Sequence, residues 1–124
     1  MNSDEPTTIC HHDSGLQWLI LRDERDRYFT NFGDSREGDT SDLVSSVNTE
    51  VLPNQGHRDW RLPTIEELET LIGRHDSPAT GWYWSSSPCE DSINCAWGIR
   101  FRDGTVDADW LEVKHKVRLV RSLT

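Results

Sequence analysis

The sequence lacks any run of apolar residues long enough to cross a membrane, which takes about 20 mostly apolar residues in a row. Met1 is followed by polar and acidic residues and by Pro6, without the basic and apolar parts of a secretion signal. As written, the chain is expected to be soluble and cytoplasmic. An extracellular protein whose signal has been removed would carry the same sequence, so that location also stays open.

Basic residues are scarce, with 13 Lys and Arg against 22 Asp and Glu and a net charge of -9. Residues 1–56 hold 11 acids and 4 bases, whereas residues 57–124 hold 11 acids and 9 bases, so the acidity belongs to the first half. An acidic surface repels phosphate and sulfate polymers, so direct binding of nucleic acid or of sulfated glycans is not expected. Basic proteins, cations and neutral sugars stay open as partners, and no membrane partner is expected.

Cysteine is also rare, and three residues allow one disulfide and one unpaired thiol. Cys89 and Cys95 flank a short polar loop that they can close in an oxidising compartment; otherwise they are two reduced thiols. Residues 10–13 (Cys-His-His-Asp) hold four potential metal ligands, but adjacent residues cannot all face one ion and no second Cys and His cluster has ligand spacing. The calcium-dependent lectin signatures Glu-Pro-Asn and Trp-Asn-Asp are absent too, so neither a metal nor a cofactor is predicted.

Tryptophan, in contrast, is abundant, with six residues in 124, and each can remove a large apolar area from water. This length suits one core, so residues 1–124 are predicted to form a single domain with its core between residues 7 and 121. The order of elements is a strand, two helices and several strands, without repeats or linkers. This order predicts the α+β class.

The first elements are predicted from apolar spacing. An apolar run from Leu16 to Leu21 comes after a turn at residues 13–15. This run predicts a strand whose side chains Leu16, Trp18 and Ile20 lie in the core. Residues 22–40 are expected to form a strand fragment and then a loop. A first helix is expected from Ser41 or Asp42 to about Leu52.

The second helix has the clearest signals. Thr64 can cap it, and Glu67, three residues on, completes a capping box. Its apolar face is predicted from residues at helical spacing: Ile65, Leu68, Leu71 and Ile72. Gly73 is expected to end it.

Past Gly81 the apolar pattern has a period of two and predicts an antiparallel sheet. Apolar and other residues alternate in the stretch Trp97, Gly98, Ile99, Arg100, Phe101 and Arg102. Asp103-Gly104 then predicts a two-residue hairpin, and Val117 to Arg121 a last strand.

The stretch Asp59 to Thr64 (Asp-Trp-Arg-Leu-Pro-Thr), with Glu66, Glu67, Leu68 and Leu71, resembles the signature of the Lcl C-terminal domain family, named for a bacterial collagen-like adhesin. Further blocks resemble the family's other segments in order: residues 14–18, residues 83–87, residues 96–101 with Gly104, and residues 117–121. The resemblance covers most of the chain from Ser14 to Arg121.

The resemblance implies a C-type-lectin-like fold, with two helices flanking a small sheet and the termini on neighbouring strands. The same architecture is similar to that of retroelement-diversified receptor-binding proteins and of formylglycine-generating enzymes, so the fold alone does not decide function. The chain departs from the family in a short connection from Gly73 to Tyr83 and in a more charged hairpin.

The family signature itself is expected to have a structural role, as a joint between the helices and the sheet. The residues of this joint are Trp60, Arg61, Pro63, Thr64 and Glu67. Arg61 is expected to pair with a carboxylate or with carbonyls of the closing strand, and Arg118 and Arg121 to be ion-paired. The hydroxyls of residues 85–87 lack the glycine-flanked elbow of a catalytic serine, so they are expected to bond backbone groups.

Ligand binding is implied by the resemblance on the face that the loop after the central strand shares with the C-terminal strands. The residues predicted there are Glu90, Asp91, Asn94, Arg100, Arg102, Asp107, Asp109, Trp110, Lys114 and His115. Trp110 is the favoured centre, because an exposed Trp among polar groups is typical of an interaction hot spot. The alternative is that Trp110 packs back on the core.

Three hypotheses for function follow. The first is a non-enzymatic binding module that recognises a protein or glycan surface through its C-terminal hairpin and loop face. The second is an acidic, phage-type inhibitor, such as an anti-defence protein, whose first half binds a basic or nucleic-acid-binding host protein. The third is a small redox or metal enzyme that uses the cysteine pair. Neither the ligand nor the oligomeric state follows from the sequence.

Overall fold

The computed structural model describes residues 7–49, 57–76 and 78–123. Its strands are β1 (Thr7–His11), β2 (Leu16–Ile20), β3 (Trp82–Pro88), β4 (Cys95–Arg100), β5 (Thr105–Trp110) and β6 (Leu119–Ser122). Its helices are α1 (Thr40–Thr49) and α2 (Ile65–Glu69), with a 3-10 turn at Glu24–Asp26. The α+β class is confirmed, whereas the C-type-lectin-like fold and the single domain stay predictions. Within the described ranges, every helix is too short or too polar to cross a membrane.

The first sheet has the strand order β1-β2-β6, with both pairs antiparallel. The predicted first strand is confirmed as β2, and it is buried on both faces. Trp18 packs in one apolar cluster and its neighbour Leu19 in the other. Ile20 is only partly buried, so its place in the predicted core was wrong and Leu19 takes it. A period-two pattern could not show this, because a central strand has no solvent face.

The second sheet has the order β3-β4-β5 and is also antiparallel. The predicted C-terminal sheet is therefore confirmed for these three strands, whereas β6 belongs to the first sheet. The segment before β6 joins the two sheets, since the Trp84 amide donates to the Lys116 carbonyl at 3.0 Å. In the other direction, the Lys116 amide donates to the Trp82 carbonyl at 3.1 Å.

The turn between β4 and β5 is longer than predicted. Arg100 pairs with Thr105, so the loop contains four residues and the two-residue hairpin at Asp103-Gly104 was wrong. Phe101 leaves the ladder to pack on the second cluster, where its ring lies edge-on to Tyr83 at 5.1 Å. Burial of this ring explains the extra length of the loop.

The segment before α1 is organised by a buried carboxylate. Residues 22–40 contain the 3-10 turn and isolated bridges at Phe29 and Thr30 in place of the expected strand fragment. Asp39 accepts hydrogen bonds from the Thr30 and Ser41 hydroxyls and from the amides of residues 32, 33 and 41. Burial would raise the pKa of Asp39, but these hydrogen bonds outweigh it and lower the pKa.

Helix α1 itself is confirmed, beginning one residue before the expected start. The predicted end near Leu52 lies outside the described residues. Near the end of α1, Asn48 forms two hydrogen bonds with Trp60, to its carbonyl at 2.8 Å and from its amide at 2.9 Å. These two hydrogen bonds hold the start of the joint against the end of α1.

Residues 59–64, the predicted joint, contact β6, β3 and α2. Trp60 is buried, and the Arg61 backbone forms a two-way bridge to Val120 in β6. The capping box of α2 is present in both directions between Thr64 and Glu67. The Arg61 guanidinium donates to both carboxylate oxygens of Glu67, at 2.6 and 2.7 Å, and these hydrogen bonds lower the pKa of Glu67. Pro63 is buried, and its carbonyl accepts the amide of Ser86 in β3.

Helix α2 ends at Glu69, earlier than its apolar pattern predicts. The amides of Leu71 and Ile72 bond carbonyls three residues back, which tightens the chain to about three residues per turn. Ile72 consequently rotates out and is 45% exposed, so its place on the core face was wrong, whereas Leu71 is buried. Gly73 follows with a φ of 78°, as expected of a terminating glycine.

An ion pair lies inside the core. The Arg118 guanidinium donates to both oxygens of Glu24, at 2.9 and 2.7 Å, and the Tyr83 hydroxyl donates to the same carboxylate at 2.7 Å. All three side chains are buried, and burial together with the Glu24 charge raises the pKa of Tyr83. The expected pairing of Arg118 is confirmed, as is that of Arg121, which donates to Asp59 at 2.8 Å.

Candidate functional site

A disulfide loop forms one end of the second sheet. Cys89 and Cys95 are joined by a disulfide, with their Cα atoms 5.5 Å apart. The closed loop between them carries Glu90, Asp91 and Asn94, all exposed. Ile93 in the same loop is 92% exposed, the largest fraction among the described large apolar residues. A cross-linked loop thus presents an aliphatic side chain to solvent.

Trp110 lies beside this loop at the end of β5, where it pairs with Cys95. Its side chain is 56% exposed, so the ring is presented to solvent and is not packed into the core. The next residue, Leu111, ties three segments together: its amide donates to the Asn94 carbonyl at 3.0 Å, and its carbonyl accepts the Asn31 amide at 2.8 Å. The backbone that carries Trp110 is therefore held from both sides.

A cavity of about 320 Å³ opens next to the indole. Its lining combines two aromatic rings, Phe32 and Trp110, with Asn94, Leu111 and Glu112. The structure therefore brings together Asn94 and Trp110, which sequence reasoning placed on the binding face. Sequence reasoning did not place Phe32, Leu111 and Glu112 at this site, and the one available signal was Phe32 as one of three large apolar residues in the polar segment 22–40.

A larger groove of about 490 Å³ shares Leu111 with this cavity. Its walls include Val44 from α1, Leu62 from the joint, and Ala96 from β4, and Ile93 stands at its edge. No sequence pattern indicated this groove, because its walls come from segments up to 80 residues apart in the chain.

Two predicted ligand residues lie at the opposite end of the second sheet. Arg100 ends β4, five residues from Cys95, or about 17 Å at the rise of an antiparallel strand. Its guanidinium donates to both carboxylate oxygens of Asp103, at 3.2 and 2.6 Å, and lies over the Trp82 ring. The hydrogen bonds from Arg100 lower the pKa of Asp103. Arg102 lies in the adjoining loop and is exposed. The hairpin and the disulfide loop are therefore two separate surfaces.

The remaining predicted residues have mixed positions. His115 has only 14% of its side chain exposed, bonds Asp109 at 2.8 Å, and lies edge-on to Trp84 at 4.8 Å. His115 is thus mostly buried, whereas the Asp109 side chain that it bonds is 38% exposed. Asp107 and Lys114 are exposed.

The potential metal ligands in residues 10–13 lie in different surroundings. His11 is buried with Asp76 at 3.4 Å, whereas Asp13 pairs with Arg74 and the Cys10 thiol is exposed. Across residues 7–49, 57–76 and 78–123, no group of three or more Cys, His, Asp or Glu side chains is arranged to hold a metal ion.

The serine cluster in β3 bonds backbone groups, as expected. The Ser85 hydroxyl donates to the Trp97 carbonyl at 2.6 Å, the Ser86 hydroxyl to the Pro63 carbonyl at 3.3 Å, and the Ser87 hydroxyl accepts the Ile65 amide at 2.9 Å. These hydroxyls connect β3 to β4, to the joint and to the start of α2.

The family model of the Lcl C-terminal domain matches residues 7–121, which include every helix and strand of the fold except the last residue of β6. No curated protein matches the chain. The order of the signature blocks, the joint that they form and this match together show that the chain belongs to the Lcl C-terminal domain family.

Proposed function

We propose that the protein is a non-enzymatic, adhesin-like recognition domain whose ligand is a protein or glycan surface. The family suggests an adhesin-like binding role and is not a known enzyme family. The observation that carries the proposal is the half-exposed Trp110 above a cavity, on a backbone held by Leu111 and beside a cross-linked loop. A rigid, exposed ring with polar neighbours is the usual composition of a binding hot spot.

The proposed binding surface is narrower than the sequence alone indicates. It contains Trp110, Asn94, Phe32, Glu112 and Ile93, at the disulfide end of the second sheet. Arg100 and Arg102 fall outside it, since they lie about 17 Å away along the strands. The disulfide also favours an oxidising compartment, because cytosolic thiols are kept reduced. We therefore propose a location outside the cytoplasm.

The test is binding of the labelled protein to arrays of glycans and of extracellular proteins, followed by affinity measurement on any ligand found. Trp110→Ala should weaken binding by roughly 30-fold, the loss typical of a hot-spot residue. Val106→Ala is the matched control, because Val106 is a 39% exposed apolar residue on the same strand near its hairpin end. Equal affinity of Trp110→Ala and the unmodified protein would overturn the proposed surface.

A further inference from the structure

The groove beside Trp110 has walls suited to an apolar side chain. Val44, Leu62, Ala96 and Leu111 line it, and Ile93 extends its edge. Several polar groups that also line it are already committed. The Thr40 hydroxyl donates to the Asn31 side chain at 2.7 Å, whose amide donates to the Ser85 carbonyl at 3.0 Å.

Because these polar groups already form hydrogen bonds within the protein, the groove is poorly suited to bind a sugar. The Ser41 hydroxyl likewise donates to Asp39 at 2.6 Å. A saccharide buried here would leave many of its hydroxyls without partners, at a cost for each one. An aliphatic or aromatic side chain gains from burial in the same space.

Three of the segments that border the groove and the neighbouring cavity are strongly acidic, whereas the segment of Leu62 carries Arg58 and also Arg61, which pairs with Glu67. Residues 31–45, 88–96 and 109–112 hold eight acids and Arg36 as their only base, and Arg36 pairs with Asp34. Asp39 and Asp109 are used inside the fold. The carboxylates that have no basic partner among the described residues are Glu37, Asp42, Glu90, Asp91 and Glu112. A ligand that enters the groove therefore meets an excess of negative charge.

We propose that the groove binds a short basic segment of a partner protein, with one bulky apolar side chain between Val44, Leu62 and Leu111 and with flanking lysine or arginine side chains that face the carboxylates. The inference rests on the proposed recognition function and specifies the partner's chemistry. It also unites two hypotheses from the sequence, since one wall comes from the acidic first half and the other from the C-terminal face.

The probes are three synthetic peptides of equal length: Leu-Phe flanked by lysines, Leu-Phe flanked by glutamates, and Gly-Ser flanked by lysines. Binding to the intact, oxidised protein is followed by fluorescence anisotropy, and the site is mapped by amide NMR shifts. Only the first peptide should bind well, with shifts at Val44 and Leu62. Its affinity should fall on the order of tenfold between 0.1 and 1 M NaCl, because the screening length shrinks from about 10 to about 3 Å. A neutral oligosaccharide serves as the competing class of ligand.

Matched variants locate the site. Ser45 is an exposed α1 residue that lines the groove, so Ser45→Arg should fill the groove with a repelling charge and weaken peptide binding at least tenfold, by an order-of-magnitude expectation. Ser46→Arg, at the next exposed position, does not line the groove and should leave binding unchanged. Equal thermal unfolding of the two variants checks that both fold.

The outcomes separate this inference from the proposed function. If Trp110→Ala weakens an array ligand but the basic peptide does not bind, the partner chemistry is wrong and the recognition role stands. If the peptide binds and only Ser45→Arg weakens it, the groove is right and the Trp110 surface is wrong. Binding of the oligosaccharide in the groove, or equal effects of Ser45→Arg and Ser46→Arg, would overturn the inference.

Discussion

The ion pair in the core offers the sharpest test of the fold. Glu24→Gln removes the carboxylate that the Arg118 guanidinium contacts twice, in a place where the arginine side chain is 1% exposed. Breaking a buried pair by removing one charge destabilises a protein by about 3–5 kcal/mol, because the other charge stays buried and uncompensated. For a chain of this length, this free energy corresponds to a fall in Tm of roughly 15 °C.

The matched control is Asp59→Asn, since Asp59 also pairs with an arginine of the C-terminal region but its side chain is 58% exposed. Its loss should cost at most about 1 kcal/mol. Both variants are measured by urea denaturation and thermal unfolding at pH 7. The double variant Glu24→Leu/Arg118→Met should regain most of the lost stability, because an apolar pair has no charge to desolvate. If Glu24→Gln proves as mild as Asp59→Asn, the reasoning about a desolvated charge is refuted.

Three further predictions concern single features of the structure. Reduction of the Cys89–Cys95 disulfide should lower the free energy of unfolding by about 2 kcal/mol, the loop entropy of a ring this small; equal urea midpoints with and without reductant would contradict it. Glu67→Ala should cost about 1–2 kcal/mol through loss of the capping box, and Glu66→Ala, on an exposed side of the same helix, should cost less. Because the pKa of Asp39 is lowered in the fold from an ordinary 3.8, its stabilisation is complete above that pH and is lost as the pH falls through the lowered value. Asp39→Asn should therefore flatten the acid limb of the stability profile, and an unchanged slope would contradict the assignment.

The sequence was most informative where local chemistry decides the structure. Thr64 and Glu67 cap α2 because both partners lie within one turn, and the signature around Trp60 led to the family and to the joint. The sequence was least informative where tertiary packing overrides the apolar periodicity of a helix or strand. Ile72 rotates outward when α2 tightens, and Phe101 leaves its strand to reach the second cluster.

The candidate site was only half accessible to sequence reasoning. Trp110 and Asn94 could be placed near each other because a strand pair carries them. The groove walls at Val44 and Leu62 meet Leu111 only through tertiary contacts, and no local spacing reveals such contacts. The separation of Arg100 from the disulfide loop also depends on strand direction, which assigns the two ends of a hairpin to different surfaces.

The order of strands in the first sheet has a mechanical consequence. β1 and β6 flank β2 and run in the same direction, so Thr7 lies opposite Ile20 at one end and Ser122 lies opposite Leu16 at the other. Force applied to these two residues in opposite directions slides both outer strands along β2. All the ladder hydrogen bonds then carry the load together, whereas peeling would break them one after another. We expect this sheet to resist traction, a property that the proposed adhesin-like role would use.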